Sequence, residues 1–225
     1  MIHRDLEHQR AFILAHTAPA APPAVPEISL LLASEFTQLW QVTERWLEEN
    51  GVEPPFWAFA WAGGQALART LLDRPELVRG RRVLDFACGA GIAAIAAARA
   101  GAASVTAVDR DALAVLAASL NAERNGVHIE ARCADPCAEE TQPTWVSEAD
   151  IVLAGDVCYD RAMAGPVLAW LRARAAAGAR VLLGDPGRAY LPGEGVEEIA
   201  RVRVPTPDGV EAVAEMSAAV YFLLQ

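Results

Sequence analysis

Cysteine is scarce in this chain: four in 225 residues, Cys88, Cys133, Cys137 and Cys158. Their spacing matches no disulfide framework. The Cys133-x-x-x-Cys137 gap is wrong for a zinc knuckle and no second ligand pair accompanies it, so no metal is expected. The thiols read as small buried groups of a reducing compartment. Long apolar runs are missing too. Nothing approaches ~18 uninterrupted apolar residues, so no membrane span is expected. The N-terminus carries mixed charges, and Ala11–Ala15 is too short for a signal core, which makes the cytoplasm the expected setting. Positive charge is in deficit: 19 basic against 29 acidic side chains leave a net charge of −10. That argues against nucleic acid as a partner and for a cationic one, such as a lysine-bearing protein surface, with plain solubility as the simpler account.

What is abundant is apolar residue, 53% of the chain and much of it alanine. One globular domain over 1–225 is expected, with an N-terminal extension over 1–50 and a core over 51–225. A short polar helix over 1–16 leads into Thr17–Pro26, an Ala/Pro-rich stretch that must be extended, either as a linker or as a strap across the domain. Ile28–Leu32 reads as a short strand. Ser34 caps a helix running to about Asn50. The aromatics Phe56, Trp57, Phe59 and Trp61 then precede a Gly63-Gly64 pair and a helix over Ala66–Leu72. An aromatic cluster is most often core, but a Trp beside Gly-Gly also suits a pocket wall, and Trp61 is the candidate.

From Arg82 onward strands and helices alternate: strands at 82–86, 104–108, 127–133, 150–153 and 180–183, helices at 91–100, 111–125 and about 162–176. The chain closes differently. Glu197–Val204 and Val213–Leu224 read as an antiparallel pair after a parallel series. The expected fold is α/β: a Rossmann-like, mostly parallel seven-stranded sheet with helices on both faces and a closing β-hairpin. Ligands in such sheets bind beyond the carboxyl ends of the strands. Asp85, Asp109, Asp135 and Asp156 all fall at such ends and should face one crevice.

The stretch Val83–Gly91 carries the chemistry. An apolar strand ends in Asp85, passes Gly89 and Gly91, and opens into a helix whose free N–H groups face whatever binds there. Asp109, at the next strand end, suits a ribose diol. Gly89-Ala90-Gly91-Ile92-Ala93-Ala94 also satisfies a dinucleotide fingerprint. However, Asp85 would repel a pyrophosphate and would favour the ammonium of an amino acid, which selects S-adenosylmethionine. A nicotinamide dinucleotide oxidoreductase is the competing reading, and it lacks room for a separate catalytic domain.

Taken together, Asp85-x-x-x-Gly89-x-Gly91, Asp109, Cys133-Ala134-Asp135 and the closing hairpin resemble the class I S-adenosylmethionine-dependent methyltransferases. Asp156-Val157-Cys158-Tyr159 is similar to the Asp-x-x-Tyr signature of methyltransferase family 16. Pro22–Ile28, Pro55-Phe56-Trp57-Ala58, Trp61-x-Gly63-Gly64-Gln65, Gly155–Asp160 and Val204-Pro205-Thr206 resemble the electron transfer flavoprotein β-subunit lysine methyltransferases and their bacterial relatives. Cys158 departs from an aromatic in that pattern and Ala62 from a proline, both near the substrate lip. The resemblance implies direct methyl transfer to a neutral lysine ε-amine, with Asp156 holding or deprotonating the amine and Tyr159 orienting it or walling the lysine channel. The cofactor would be held by Trp61, Asp85, Ala87, Gly89, Gly91, Asp109, Arg110, Ala134, Asp135 and Gly155, with Asp135 and Ala134 at the adenine. The implied protein partner is the β-subunit of electron transfer flavoprotein; a ribosomal protein or a small amine is the alternative.

Overall fold

The computed structural model describes residues 6–33, 55–139, 141–205 and 215–224. Residues 82–86 are apolar apart from an exposed Arg82 and the buried Asp85, the composition of a strand covered on both faces, and they form an interior strand of the sheet. This strand, β3 (Arg82–Phe86), has β4 (Ser104–Asp109) and β5 (Glu130–Cys133) on one side. On its other side lie β6 (Ile151–Gly155), β7 (Arg180–Asp185), β9 (Glu215–Leu223) and then β8 (Val196–Pro205) at the edge. Strands β3 to β7 run parallel, and β9 runs antiparallel to both β7 and β8. This is the expected seven-stranded sheet, hairpin included.

Helices cover both faces. On one, α2 (Ala62–Asp73), α3 (Ile92–Arg99) and α4 (Ala112–Arg124) bury alanine-rich sides against the sheet. On the other, α5 (Thr144–Ser147) and α6 (Arg161–Ala176) cover Leu84, Val152 and Leu183. Caps fix where the helices begin: Asp111 accepts the Leu113 N–H ahead of α4 and Asp160 that of Met163 ahead of α6. Among the described residues no helix is long and apolar enough to cross a membrane.

The N-terminal part is a strap. After α1 (Leu6–His16), β1 (Ala18–Ala20) pairs antiparallel with β2 (Leu30–Leu32), and Val25 and Ile28 between them are fully buried. Side-chain amides hold its backbone, those of Gln65 and Asn121 buried and that of Asn125 half-buried. Gln65 Oε1 accepts from Ala24 N at 3.1 Å, Asn125 Oδ1 from Ser29 N at 3.1 Å, and Asn121 Oδ1 from Leu31 N at 2.7 Å. Asn121, itself wholly buried, also donates to the Ala90 carbonyl at 2.9 Å and so ties strap to glycine loop.

Three expectations shift. The helix expected over Ala66–Leu72 starts at Ala62 instead, with both glycines inside its first turn. Its start is capped not locally but by Asp156, whose two oxygens accept from Gly63 N at 2.9 Å and Gly64 N at 2.7 Å. The strand expected over 127–133 shortens to Glu130–Cys133, because Gly126 turns left-handed (φ 65°) and Val127 N still bonds to Ala122 O at the end of α4. Cys133 is exposed, whereas Cys88 and Cys158 are buried. The helix expected over Ser34–Asn50 and the loop Thr206–Gly209 lie outside the described residues.

Backbone meets backbone where α2 crosses β7. A Cβ on Gly63 would run into the Gly184 carbonyl oxygen and come within 2.7 Å of Asp156 Oδ2; one on Gly184 would strike the Gly63 carbonyl oxygen. Gly63→Ala and Gly184→Ala should each lower stability by upward of about 2 kcal/mol in urea unfolding. Gly165→Ala, in α6 with nothing within 4 Å of the added carbon, should instead raise it by about 0.5–1 kcal/mol.

Candidate active site

The carboxyl ends of β3 to β6 open into a cavity of about 480 Å³. Its wall includes Ala87, Gly89, Asp109, Arg110, Ala134 and Asp135 on one side, and Trp61, Gly155, Asp156 and Tyr159 on the other. Ala87 and Asp156 are the non-glycine residues with left-handed φ among the described residues, at 54° and 56°. Both follow the end of a central strand and both line this cavity. Backbone strain of that kind is retained where the surrounding structure fixes it, most often at functional sites.

The loop after β3 is built around two acids. Asp109 Oδ2 accepts from Gly89 N and its Oδ1 from Asp111 N, both at 3.0 Å, so the carboxylate is oriented from the loop and from its own turn. Asp85 is 2% exposed and accepts from Ala94 N at 2.9 Å in the first turn of α3. It stands behind the cavity wall rather than in it. Burial pushes its pKa up to about 8; the Ala94 hydrogen bond opposes that rise and the charge of Asp109 adds to it. Gly91 likewise sits behind the wall. Its φ of 79° and the 2.9 Å separation that a Cβ would have from Ala118 Cβ require glycine where α3 begins against α4.

At the far side, Ala134 N bonds to Asp109 O at 3.0 Å, and Asp135 Oδ1 accepts from Cys137 N at 3.0 Å. The opposite end is aromatic. Trp61 Nε1 donates to Phe56 O at 2.8 Å, and the Phe56 ring lies 6.1 Å from Trp61 and 5.7 Å from Tyr159 between centroids. Tyr159 is 41% exposed at the mouth. Asp156 is half-buried beneath the start of α2. Loss of water there pushes it up to about 7, against the pull of the Gly63 and Gly64 N–H groups.

Sequence reasoning missed Phe56, Cys137, Met163 and Arg188, all in the wall. Arg188 had one available signal. It lies just past Asp185-Pro186-Gly187, a turn at another strand end of the same sheet. Among the described residues no group of three or more His, Cys, Asp or Glu side chains is placed to hold a metal ion.

The donor set suits a cationic nucleoside. Asp109, Asp111, Asp135 and Asp156 outnumber Arg110 and Arg188 along the wall, so a pyrophosphate would be repelled and a ribose diol, an ammonium or a sulfonium accepted. The ribosomal protein L11 methyltransferase (PrmA) family model matches residues 66–157. The electron transfer flavoprotein beta subunit lysine methyltransferase of Xenopus laevis is 43% identical over 183 residues, 80% of this chain and 71% of its own. The protein of that name from Homo sapiens is 36% identical over 191 residues, 84% of this chain and 70% of its own. A solved 16S rRNA methyltransferase of T. thermophilus (RsmC), in complex with AdoMet and guanosine, shares the fold with a TM-score of 0.53 at 17% identity, over 93% of this chain and 50% of that one. Fold and cavity thus define a class I S-adenosylmethionine-dependent methyltransferase. Within that class, the chain belongs to the family of electron transfer flavoprotein β-subunit lysine methyltransferases, whose reaction is protein-lysine methylation.

The raised acids give the ligand-free protein a pH signature. Unfolded, Asp85 and Asp156 titrate near 3.8; folded, they keep their protons up to about 8 and about 7. The native state therefore binds more protons across that window. Their contribution to stability is complete below about 4 and is lost as pH rises through 7 and 8. Thermal melts of ligand-free protein at stepped pH should fall over this range, and Asp85→Asn should flatten the upper part of the slope.

Proposed function

We propose that this chain methylates a lysine of the electron transfer flavoprotein β-subunit, with the roles in the cavity divided as follows. Asp109 takes the ribose hydroxyls of S-adenosylmethionine, and Arg110 covers that edge. Ala134 and Asp135 meet the adenine. Ala87 and Gly89 present loop backbone to the methionine part, while Asp85 and Gly91 hold the loop from behind. Trp61 walls the cofactor, and Gly155 leaves room for its methyl end. When bound, the cofactor supplies an electrophilic methyl on a sulfonium.

The observation that carries the reading is the acceptor end: a carboxylate, Asp156, beneath an aromatic mouth formed by Phe56, Trp61 and Tyr159. Such a channel suits the aliphatic stem and amine of lysine. The amine must be neutral to use its lone pair. A carboxylate near its ordinary 3.8 would be a poor base for an ammonium; Asp156, lifted to about 7, narrows that gap. Asp156 holds the amine and takes its proton. Tyr159 orients it, and the aromatic walls exclude water. The substrate protein is supported by the relatives' names and by the extent of the identity, and the cytoplasm is the setting we assign. A ribosomal protein acceptor is the second reading, favoured by the L11 methyltransferase match over residues 66–157.

The chain contains no lysine, all 19 of its basic side chains being arginine, so label found on lysine cannot come from self-methylation. Incubation with tritiated donor and purified electron transfer flavoprotein should label lysine in the β-subunit. Label confined to ribosomal protein or to small molecules would overturn the assignment. Asp109→Ala should weaken cofactor binding roughly 10- to 100-fold by calorimetry. Asp156→Asn should keep cofactor affinity but lower kcat by about 10²-fold or more. It also forfeits one of two cap hydrogen bonds, at a cost of about 1 kcal/mol.

A further inference from the structure

A second acid stands beside Asp156, and nothing above employs it. Strands β6 and β7 pair in parallel with Gly155 opposite Gly184, and Asp156 N donates to Gly184 O at 2.9 Å. Asp156 and Asp185 therefore occupy adjacent strand ends. Asp185 is fully buried. Its Oδ1 accepts from Gly187 N at 2.7 Å and Arg188 N at 2.6 Å, closing the turn that delivers Arg188 to the cavity wall. Its Oδ2 is buried without a hydrogen-bond partner among the described residues. The turn needs only one acceptor oxygen, which asparagine would supply equally. A second carboxylate oxygen, buried and unsatisfied, is a cost that closing the turn does not explain.

We propose that Asp185 is a positioning residue for methyl transfer: together with Arg188 it sets the charge that Asp156 presents to the substrate amine. This rests on the reading of Asp156 as the amine-facing carboxylate. The groups around Asp156 are few. From α2 come the Gly63 and Gly64 N–H groups, with no charged side chain in the first helical turn. From β7 comes Asp185, and from the turn beyond it Arg188. On its own segment stand the Tyr159 phenol and Cys158, whose thiol burial pushes up to about 12 and so keeps neutral. Two carboxylates thus face one guanidinium. Burial raises both, the Asp185 charge raises Asp156 further, and Arg188 lowers each. When both acids are ionised the cluster carries one excess negative charge, which an arriving cation neutralises. Near neutral pH the empty cluster keeps a proton that it must release to solvent before it can hold that cation.

The two neighbours make opposite predictions. With protein labelled at aspartate carboxyl carbons, and the Asp156 signal assigned through Asp156→Asn, the carbon-13 titration of the ligand-free full chain reads the coupling directly. Asp185→Asn keeps the acceptor for the turn and should move the Asp156 midpoint down by about one unit. Arg188→Gln should move it up. The acid limb of kcat/KM with electron transfer flavoprotein β-subunit should follow in the same directions. If Asp185→Asn fails to fold by thermal melt, Arg188→Gln, altered only at the cavity wall, still tests the coupling. A midpoint that stays in place in folded variants overturns the proposal. Midpoints that move without the acid limb support the coupling and overturn instead the part given to Asp156 in turnover.

Discussion

The start of α2 rests directly on the ends of β6 and β7, and the site depends on that seat. Two glycines let helix backbone touch strand backbone at Gly63 and Gly184. The exposed N–H groups of the helix start then fall on the Asp156 carboxylate. Each partner fixes the other: the helix gains a cap, and the carboxylate is held in a left-handed backbone conformation facing the cavity. A freely rotating aspartate at the same place would have to be ordered at the moment of reaction. Here the ordering belongs to the fold, and α2 carries Trp61 at its N-cap into the same wall.

Much of this was legible in the residues. Acids at successive strand ends, glycines between a strand and a helix, and a terminal antiparallel pair define both the sheet and the crevice because they follow from local chain chemistry. What was not legible is what depends on partners far along the chain. The start of α2 reads as loop because Gly-Gly is a poor helix opening on its own; its cap lies ninety-three residues away in Asp156. Asp85 reads as a ligand contact, yet its carboxylate serves Ala94 from behind the wall. Arg188 lies in a turn, where spacing says little about which way a long side chain will reach. The stretch Thr17–Pro26 had two readings in sequence, linker or strap; within it and just beyond it, Val25 and Ile28 are buried.

Electrostatics unify the cavity. Burial raises Asp156 in the wall, and Asp85 and Asp185 outside it, so these three acids hold protons more tightly than free carboxylates do. Cationic ligands are the natural counterweight, and their binding is linked to proton release. The aromatic side contributes shape and dryness, the acidic side discrimination against phosphate-bearing nucleotides.

The strap has a consequence for anyone who would cut this protein down. Residues 18–32 look dispensable in a diagram of the Rossmann-like core, since none contributes to the cavity wall. Yet they supply the amide groups that satisfy Gln65, Asn121 and Asn125 inside the helical layer. A minimal enzyme beginning at Pro55 would leave the buried Gln65 and Asn121 amides facing an apolar gap, whereas the half-buried Asn125 would keep its bonds to Arg99 and Asn121. It would also free the far end of the Asn121 link to the glycine loop. Removing the strap would therefore act less like trimming a tail than like withdrawing a keel, and repairing the hull would require re-choosing the two buried amides as apolar residues.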